Sequence, residues 1–150
     1  MSTTNQVVAH LLDGKVFKGT TEDFFPNRPN FHLRLVGSGA VKEVECRTLK
    51  AVFFVKDFAG NPRHRDIQSF VRESGGANQG RKIAALFKDG ELICGYTLTY
   101  APEREGFFVS PSDPGSNNLR VYVLAHATQE VKVGAEAEAM VRRQPGSRAA

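Results

Sequence analysis

Short apolar runs alternate with turn-forming residues along most of this chain. The apolar runs at residues 7–12 and 82–87 each lead into an Asp-Gly pair, Asp13-Gly14 and Asp89-Gly90. Glycine adopts positive φ at little cost, as a tight hairpin turn requires, so each pair predicts a β-hairpin. Further short runs follow, separated by Gly and Pro, a pattern typical of strands rather than of long helices.

Five strands are predicted in each half of the chain. The second strand of each half contains an interior glycine, Gly19 or Gly95. Such a glycine often marks a bulge or a sharp bend of a sheet. The other predicted strands are residues 7–12, 31–36, 41–46 and 50–55 in the first half, and residues 82–87, 106–109, 119–124 and 128–133 in the second.

The two halves match each other when the chain is shifted by 76 residues. One ungapped offset aligns turn and bend residues over about fifty positions. This predicts a tandem duplication of one all-β unit; the alternative is two unrelated hairpins that share turn chemistry. The matched pairs include Gly19 with Gly95, Pro26 with Pro102, Phe31 with Phe107 and Val55 with Val131.

A strongly bent sheet of this size most often closes into a small barrel. The predicted fold class is therefore all-β, a tandem pair of five-stranded Sm-like or SH3-like barrels, with a short helix in the linker or at the C-terminus. The predicted boundaries are residues 7–58 for the first barrel, 59–81 for a basic linker, 82–133 for the second barrel and 134–150 for a short helix and flexible tail.

The order Asp-Gly, Gly, turn and apolar strand resembles the first three strands of an Sm-like unit. In Sm-like proteins the loop after the bent strand carries an Asp and an Asn that help to bind RNA. Asp23 and Asn27 stand in that loop here, but their spacing is one residue too long, and the second half has no such pair. The resemblance therefore implies the fold more than RNA binding.

The whole chain also resembles an uncharacterised bacterial family of duplicated small barrels. Residues 49–58 (LKAVFFVKDF) and 106–118 (GFFVSPSDPGSNN) carry this resemblance, which spans about residues 7–133. It implies no activity.

The formal net charge is +4, and the basic excess is densest in the linker, at residues 61–81. Arg63 and Arg65 flank His64 there. Such a cluster can contact phosphates; a solvated linker face is the alternative. A dedicated nucleic-acid binder usually has a stronger basic patch.

The loop at residues 111–118 is the most unusual segment. Short polar side chains followed by an arginine can bind a phosphate or a peptide backbone. Alternatively, these side chains hydrogen-bond their own backbone in turns. The first half has only Gly37-Ser38-Gly39 at the matching place. The candidate binding residues of the loop are Asp113, Ser116, Asn117, Asn118 and Arg120.

Two Phe pairs, Phe53-Phe54 and Phe107-Phe108, lie in predicted strands. Neighbouring residues of a strand face opposite sides, so only one ring of each pair can fill a barrel core. Phe54 and Phe108 are the candidates for an exposed docking surface for a partner or for stacked bases. The alternative is packing of the two halves against each other.

No catalytic, metal or cofactor signature is present in the sequence. His10, His32 and His126 are predicted as strand residues without metal-ligand spacing. Cys46 and Cys94 lie in apolar segments and are expected as buried, reduced thiols. We therefore expect no enzyme activity, no metal and no cofactor.

The first residues of the chain are polar, and no apolar run is long enough for a membrane span. The cytoplasm is the expected location. The expected function is a non-catalytic binding or adaptor module that recognises a protein partner, in bacterial signalling or motility. The alternative is binding of RNA or single-stranded nucleic acid through an Sm-like barrel and the basic linker. Both rest on fold-level analogy, and the oligomeric state is left open.

Overall fold

The computed structural model describes residues 5–25, 28–56, 80–98, 100–101, 103–111 and 118–143. The first half contains β1 (Asn5–Leu11), β2 (Val16–Thr21), β3 (Asn30–Leu35), β4 (Val41–Glu45) and β5 (Leu49–Val55). The second half contains β6 (Arg81–Phe87), β7 (Leu92–Thr97), β8 (Gly106–Pro111), β9 (Asn118–Leu124) and β10 (Thr128–Val133), followed by α1 (Ala135–Arg143). The predicted strands are thus confirmed, with small differences at their ends.

The strands form one open antiparallel sheet rather than two closed barrels. The order is β10-β6-β7-β8-β9-β5-β1-β2-β3-β4, so β4 and β10 are its edges among the described residues. The predicted closure into tandem barrels is not observed because β9 pairs with β5, for example Phe53 with Val121. Both strands have apolar residues on both faces, and side-by-side pairing lets each of them be covered on both sides.

The strands of the two halves pair in corresponding registers. Val7 pairs with Gly19 in the first half, and Ile83 pairs with Gly95 in the second, so this hairpin repeats at the offset of 76. From the fourth strand onward the offset is 79, because the paired positions Val109 and Val121 are separated by three more residues than the corresponding positions Leu33 and Lys42. The sequence match of Val55 with Val131 therefore does not correspond to a structural match.

The two interior strand glycines lie where neighbouring strands approach too closely for a side chain. A Cβ at Gly19 would stand 2.3 Å from the carbonyl oxygen of Arg34. A Cβ at Gly95 would stand 2.0 Å from the carbonyl oxygen of Ser110. Real Cβ atoms do not approach backbone oxygens this closely, so both sites require glycine, as expected for bends of a curved sheet.

Two hydrophobic cores share the strands β5 and β9 as a common wall. Phe54 packs in the core of the first half, whereas its neighbour Phe53 packs in the core of the second half. In β9, Tyr122 belongs to the first core and Val121 to the second. Because neighbours in a strand face opposite sides, each of these strands serves both cores.

The helix α1 covers the outer face of β6 and β7. Its buried residues Ala137, Met140 and Val141 form a third apolar cluster with residues of these strands. This confirms the predicted C-terminal helix; the alternative place in the linker lies outside the described residues. The strand residues of the cluster are Ala84, Leu86, Leu92 and Cys94.

Candidate functional site

Three of the predicted binding residues meet where the two halves join. The guanidinium carbon of Arg120 lies 4.6 Å from the ring centre of Phe54 and 5.0 Å from that of Phe108. Arg120 and Phe54 face each other in the β5–β9 ladder. Phe54 is only 2% exposed and Phe108 is half-buried, so these rings pack between the halves. They do not form the exposed docking surface that was one of the two alternatives.

Phe24 closes this aromatic cluster from the loop after β2. Its ring centre lies 5.1 Å from that of Phe31, 5.5 Å from that of Phe54 and 5.2 Å from that of Tyr122. These edge-to-face geometries are the favourable ones for aromatic pairs. The cluster of Phe24, Phe54, Phe108, Tyr122 and Arg120 is therefore a packed seam.

A carboxylate–imidazole pair holds the loop that places Phe24. Asp23 Oδ2 lies 2.7 Å from the ring Nδ1 of His32, and Asp23 Oδ1 accepts the backbone N–H of His32 at 2.9 Å. Partial burial alone would raise the pKa of Asp23, but the hydrogen bonds from His32 and Thr21 outweigh it and lower this pKa. The bond to Asp23 raises the pKa of His32.

The structure does not test the predicted binding role of the other candidate residues. Asp113, Ser116, Asn117, Arg63 and Arg65 lie outside the described residues. The backbone of Asn118 begins β9 opposite Val55. Their assignment therefore stays a prediction.

The edge strand β4 offers a row of outward backbone groups. Cys46 donates to the Pro29 carbonyl at 2.8 Å, and Leu35 donates to the Ala40 carbonyl at 2.8 Å. Hydrogen-bonded and non-bonded pairs alternate in an antiparallel ladder, so these bonds fix which residues of β4 bond to β3. The backbone N–H and C=O groups of Lys42 and Val44 point toward β3 and bond to it. The N–H and C=O groups that point away from the sheet belong to Val41, Glu43 and Glu45.

The corresponding groups of β9 are already used inside the protein. Ala125 donates to the Glu105 carbonyl at 2.9 Å, which gives β9 the same ladder phase as β4. Its outward groups, on Arg120 and Tyr122, face Phe54 and Val52 of β5. The outer edge of the fourth strand therefore accepts another strand in the second half, and the same edge is open in the described part of the first half.

Two cavities flank the end of β4, and both are lined by Glu45 and Arg47. The Arg47 guanidinium donates to the Glu45 carboxylate at 3.2 Å. One cavity, of about 540 Å³, is lined mainly by Leu11, Leu12, Asp13, Phe17, Lys42 and Glu43. The other, of about 660 Å³, is lined mainly by Pro29, Asn30, Cys46, Glu105, Leu124 and His126.

Cys46 and His126 share the second cavity but do not form a nucleophilic pair. Burial raises the pKa of the Cys46 thiol, and the charge of Glu105 raises it further, so the thiol stays protonated at neutral pH. The Nε2–H of His126 donates to the Leu49 carbonyl at 2.7 Å. His126 lies in the 3-10 turn Ala125–Ala127, so its prediction as a strand residue was wrong; His10 and His32 do lie in strands.

Within the described ranges, no three His, Cys, Asp or Glu side chains are grouped so that they would hold a metal ion. The described part of the chain contains no helix that is long and apolar enough to cross a membrane.

Sequence comparison places the whole sheet in one family. Residues 3–135 match the model of a family of unknown function, DUF6982. The chain belongs to this family. The DUF6982 match begins before β1 and ends at the first residue of α1, so it includes both halves of the sheet. No curated protein and no solved structure matches the chain.

Sequence reasoning missed the β4 edge. Its signal in the sequence is the run Val-Lys-Glu-Val-Glu at residues 41–45, which puts charged residues on a strand with few apolar positions. Charged side chains are typical of strands at the edge of a sheet. The pattern alone does not say which strand lacks a neighbour.

Proposed function

We propose that this protein is a non-catalytic protein-binding module, and that the β4 edge binds an extended segment of its partner. One observation carries the proposal: β9, the strand that corresponds to β4, accepts β5 along the same edge within the chain. Duplication of one unit would explain why the first half keeps the same edge open among its described residues.

Strand addition suits the geometry of this edge. Main-chain hydrogen bonds supply affinity, and pockets for alternate side chains supply specificity. Val41, Glu43 and Glu45 present three outward N–H groups in one row. Two cavities lie beside Glu45, at one end of this edge, and are available to side chains of a bound segment.

Nucleic-acid binding is the second candidate, and fewer contacts support it. Arg120 occupies the faces of Phe54 and Phe108, so bases would have to displace it in order to stack there. The open edge carries the carboxylates of Glu43 and Glu45, which repel phosphates. The basic residues Arg63 and Arg65 keep this alternative open to experiment.

The test is site-specific photo-cross-linking in the native host. A photoreactive residue replaces Val41, which is 55% exposed on β4, or Val16, which is 46% exposed on β2 and serves as the matched control. We expect a cross-linked protein partner from position 41 but not from position 16. The same experiment is repeated in the Glu43→Pro background. Proline removes an outward N–H while every bond between β4 and β3 stays available.

Glu43→Ala is the control for this change, because it removes the side chain and keeps the N–H. The proposal requires that Glu43→Pro abolish the cross-link and that Glu43→Ala retain it at least in part. Equal cross-linking from positions 41 and 16 would contradict the proposal. Cross-linking of position 41 to nucleic acid alone would favour the second candidate instead.

A further inference from the structure

We infer that the strand bound by β4 belongs to a different protein and carries basic side chains at two alternate positions, opposite Glu43 and Glu45. This inference rests on the proposed function and names the chemistry of the partner. It is carried by the charges of the edge, by the register of β5 on β9 and by the poor fit of the other open edge of this sheet.

The two carboxylates lie on the same side of β4 because residues two apart in a strand share a face. Glu43 accepts a hydrogen bond from the Asn30 amide, and its neighbour across the ladder is His32. Glu45 is paired with Arg47, whose side chain is largely exposed. Lys42 lies on the opposite face, with its ammonium group 5.0 Å from the ring centre of Phe17. On β4 itself, one face therefore carries the two carboxylates and the other carries the ammonium group, and Arg34 of β3 lies opposite Val41 on the carboxylate side.

The pairing of β5 with β9 supplies the expected register of the partner. In that pairing Phe54 faces Arg120 and Val52 faces Tyr122, in antiparallel direction. A strand bound in the same way to β4 would place one residue opposite Val41 and the next residue of the same face opposite Glu43. The best complement has, from its N- to its C-terminus, basic residues opposite Glu45 and Glu43 and then an apolar residue opposite Val41.

A second copy of this chain does not supply that strand. Among the described residues, another copy would offer two open edges, β4 itself and β10. Pairing of β4 with β4 would bring the carboxylates of Glu43 and Glu45 of the two copies together, which destabilises a ladder. The other edge, β10, corresponds to β5. In the register of β5 on β9, Lys132 would stand opposite Lys42, and Val131 would stand opposite Glu43. Like charges directly opposed destabilise a ladder, and a carboxylate against an apolar side chain loses hydration without compensation.

The test uses synthetic peptides and the full chain. The probe is a seven-residue peptide with threonine on one face and, from its N- to its C-terminus, lysine, lysine and valine at successive positions of the other, because an antiparallel strand runs opposite to β4. One control peptide has glutamate in place of both lysines. A second control has the same composition with the lysines moved by one residue, which turns them to the other face. Binding is followed by NMR chemical-shift changes during titration.

We expect the lysine peptide to bind, with the largest shifts in residues 41–45, and both control peptides to bind at least tenfold more weakly. Replacement of both carboxylates, E43Q with E45Q, should weaken binding about tenfold, the effect of two partly exposed ion pairs. Glu136→Gln, which removes an exposed carboxylate in α1, should leave binding unchanged.

Equal binding of the two lysine-containing peptides would overturn the inference, because it would show charge attraction without strand addition. Dimerisation of the chain in sedimentation that Glu43→Pro abolishes would overturn it as well, in favour of a second copy. If cross-linking from position 41 depends on the outward N–H of Glu43 but the lysine peptide has no advantage, the basic partner is wrong and the proposed function stands. If both experiments fail, both proposals are wrong.

Discussion

The ammonium group of Lys50 lies 2.8 Å from Oδ2 of Asp89, which ties β5 of the first half to the hairpin turn of the second. It also bonds to Glu91 and lies 4.6 Å from the ring centre of Phe87. The register between β1 and β5 shifts at Lys50, and this irregularity turns its side chain toward the other half. Burial alone would lower the pKa of Lys50, but the bonds to Asp89 and Glu91 raise it.

Lys50→Met should destabilise the protein by about 1–2 kcal/mol, because it removes charge-assisted hydrogen bonds of a side chain that is only 12% exposed. The methionine keeps the apolar contact with Phe87. Urea unfolding followed by circular dichroism measures the change. The matched control is Lys15→Met in the corresponding turn of the first half, where Lys15 and Asp13 are 3.9 Å apart and exposed. An equal loss from both variants would contradict the role of Lys50.

The pair of Asp23 and His32 predicts a pH dependence of the loop that holds Phe24. The pKa of His32 is raised, so its contribution to stability is complete below the unfolded value of 6.5 and is lost as the pH rises through the folded value. The pKa of Asp23 is lowered, so its contribution is present above 3.8 and is lost as the pH falls through the folded value. The pair therefore contributes most between these two unfolded values.

NMR titration of the histidine rings tests this pair. In Asp23→Asn the pKa of His32 should fall back toward 6.5. His10 is an internal control, because burial lowers its pKa and Asp23 does not contribute to that shift. A pKa of His32 that stays unchanged in the variant would show that Asp23 is not its cause.

Alanine at either bend glycine should disturb the curvature of the sheet. A Cβ at Gly95 or Gly19 overlaps a backbone oxygen that cannot rotate away. We expect a loss of about 1–3 kcal/mol for each variant, the usual cost of forcing extra atoms into a packed site. Thermal unfolding measures it. Lys18→Ala, at an exposed position of the same strand, should change stability by less than about 0.5 kcal/mol.

Arg120→Ala should cost about 1–2 kcal/mol, because two cation–π contacts at the seam are lost together. Arg120→Lys should retain only part of this energy. Its positive charge remains, but an ammonium group cannot stack flat on both rings. Chemical unfolding of both variants is compared with that of Arg142→Ala, whose exposed side chain makes only a 4.0 Å ion pair with Glu138. If Arg120→Ala left the free energy of unfolding unchanged, the rings alone would stabilise the seam.

The strands were predictable because their signals are local. The Asp-Gly turns, the bend glycines and the apolar runs each act over a few residues, and they predicted all ten strands. Closure of the sheet was not predictable, because it depends on whether β9 pairs with β10 or with β5, which is a choice between partners distant in sequence. Three additional residues between the corresponding ladder positions of β8 and β9 also hid the offset of the last two strands from an ungapped comparison.

The candidate site was predictable only in part, for the same reason. Arg120, Phe54 and Phe108 are unusual enough to be selected from the sequence, but their meeting at one seam depends on the pairing of β5 with β9. The open edge of β4 is a property of the strand order as a whole. Glu43 and Glu45 were therefore missed, although their alternation with Val44 is visible in the sequence.

The wall that β5 and β9 form between the two cores has a consequence for folding cooperativity. Removal of the second half would leave Ala51, Phe53 and Val55 without a core on that face of β5. Removal of the first half would leave Tyr122 and Leu124 of β9 without the residues that bury them. Neither half can melt and leave the other intact, so the ten-stranded sheet should unfold in a single two-state transition.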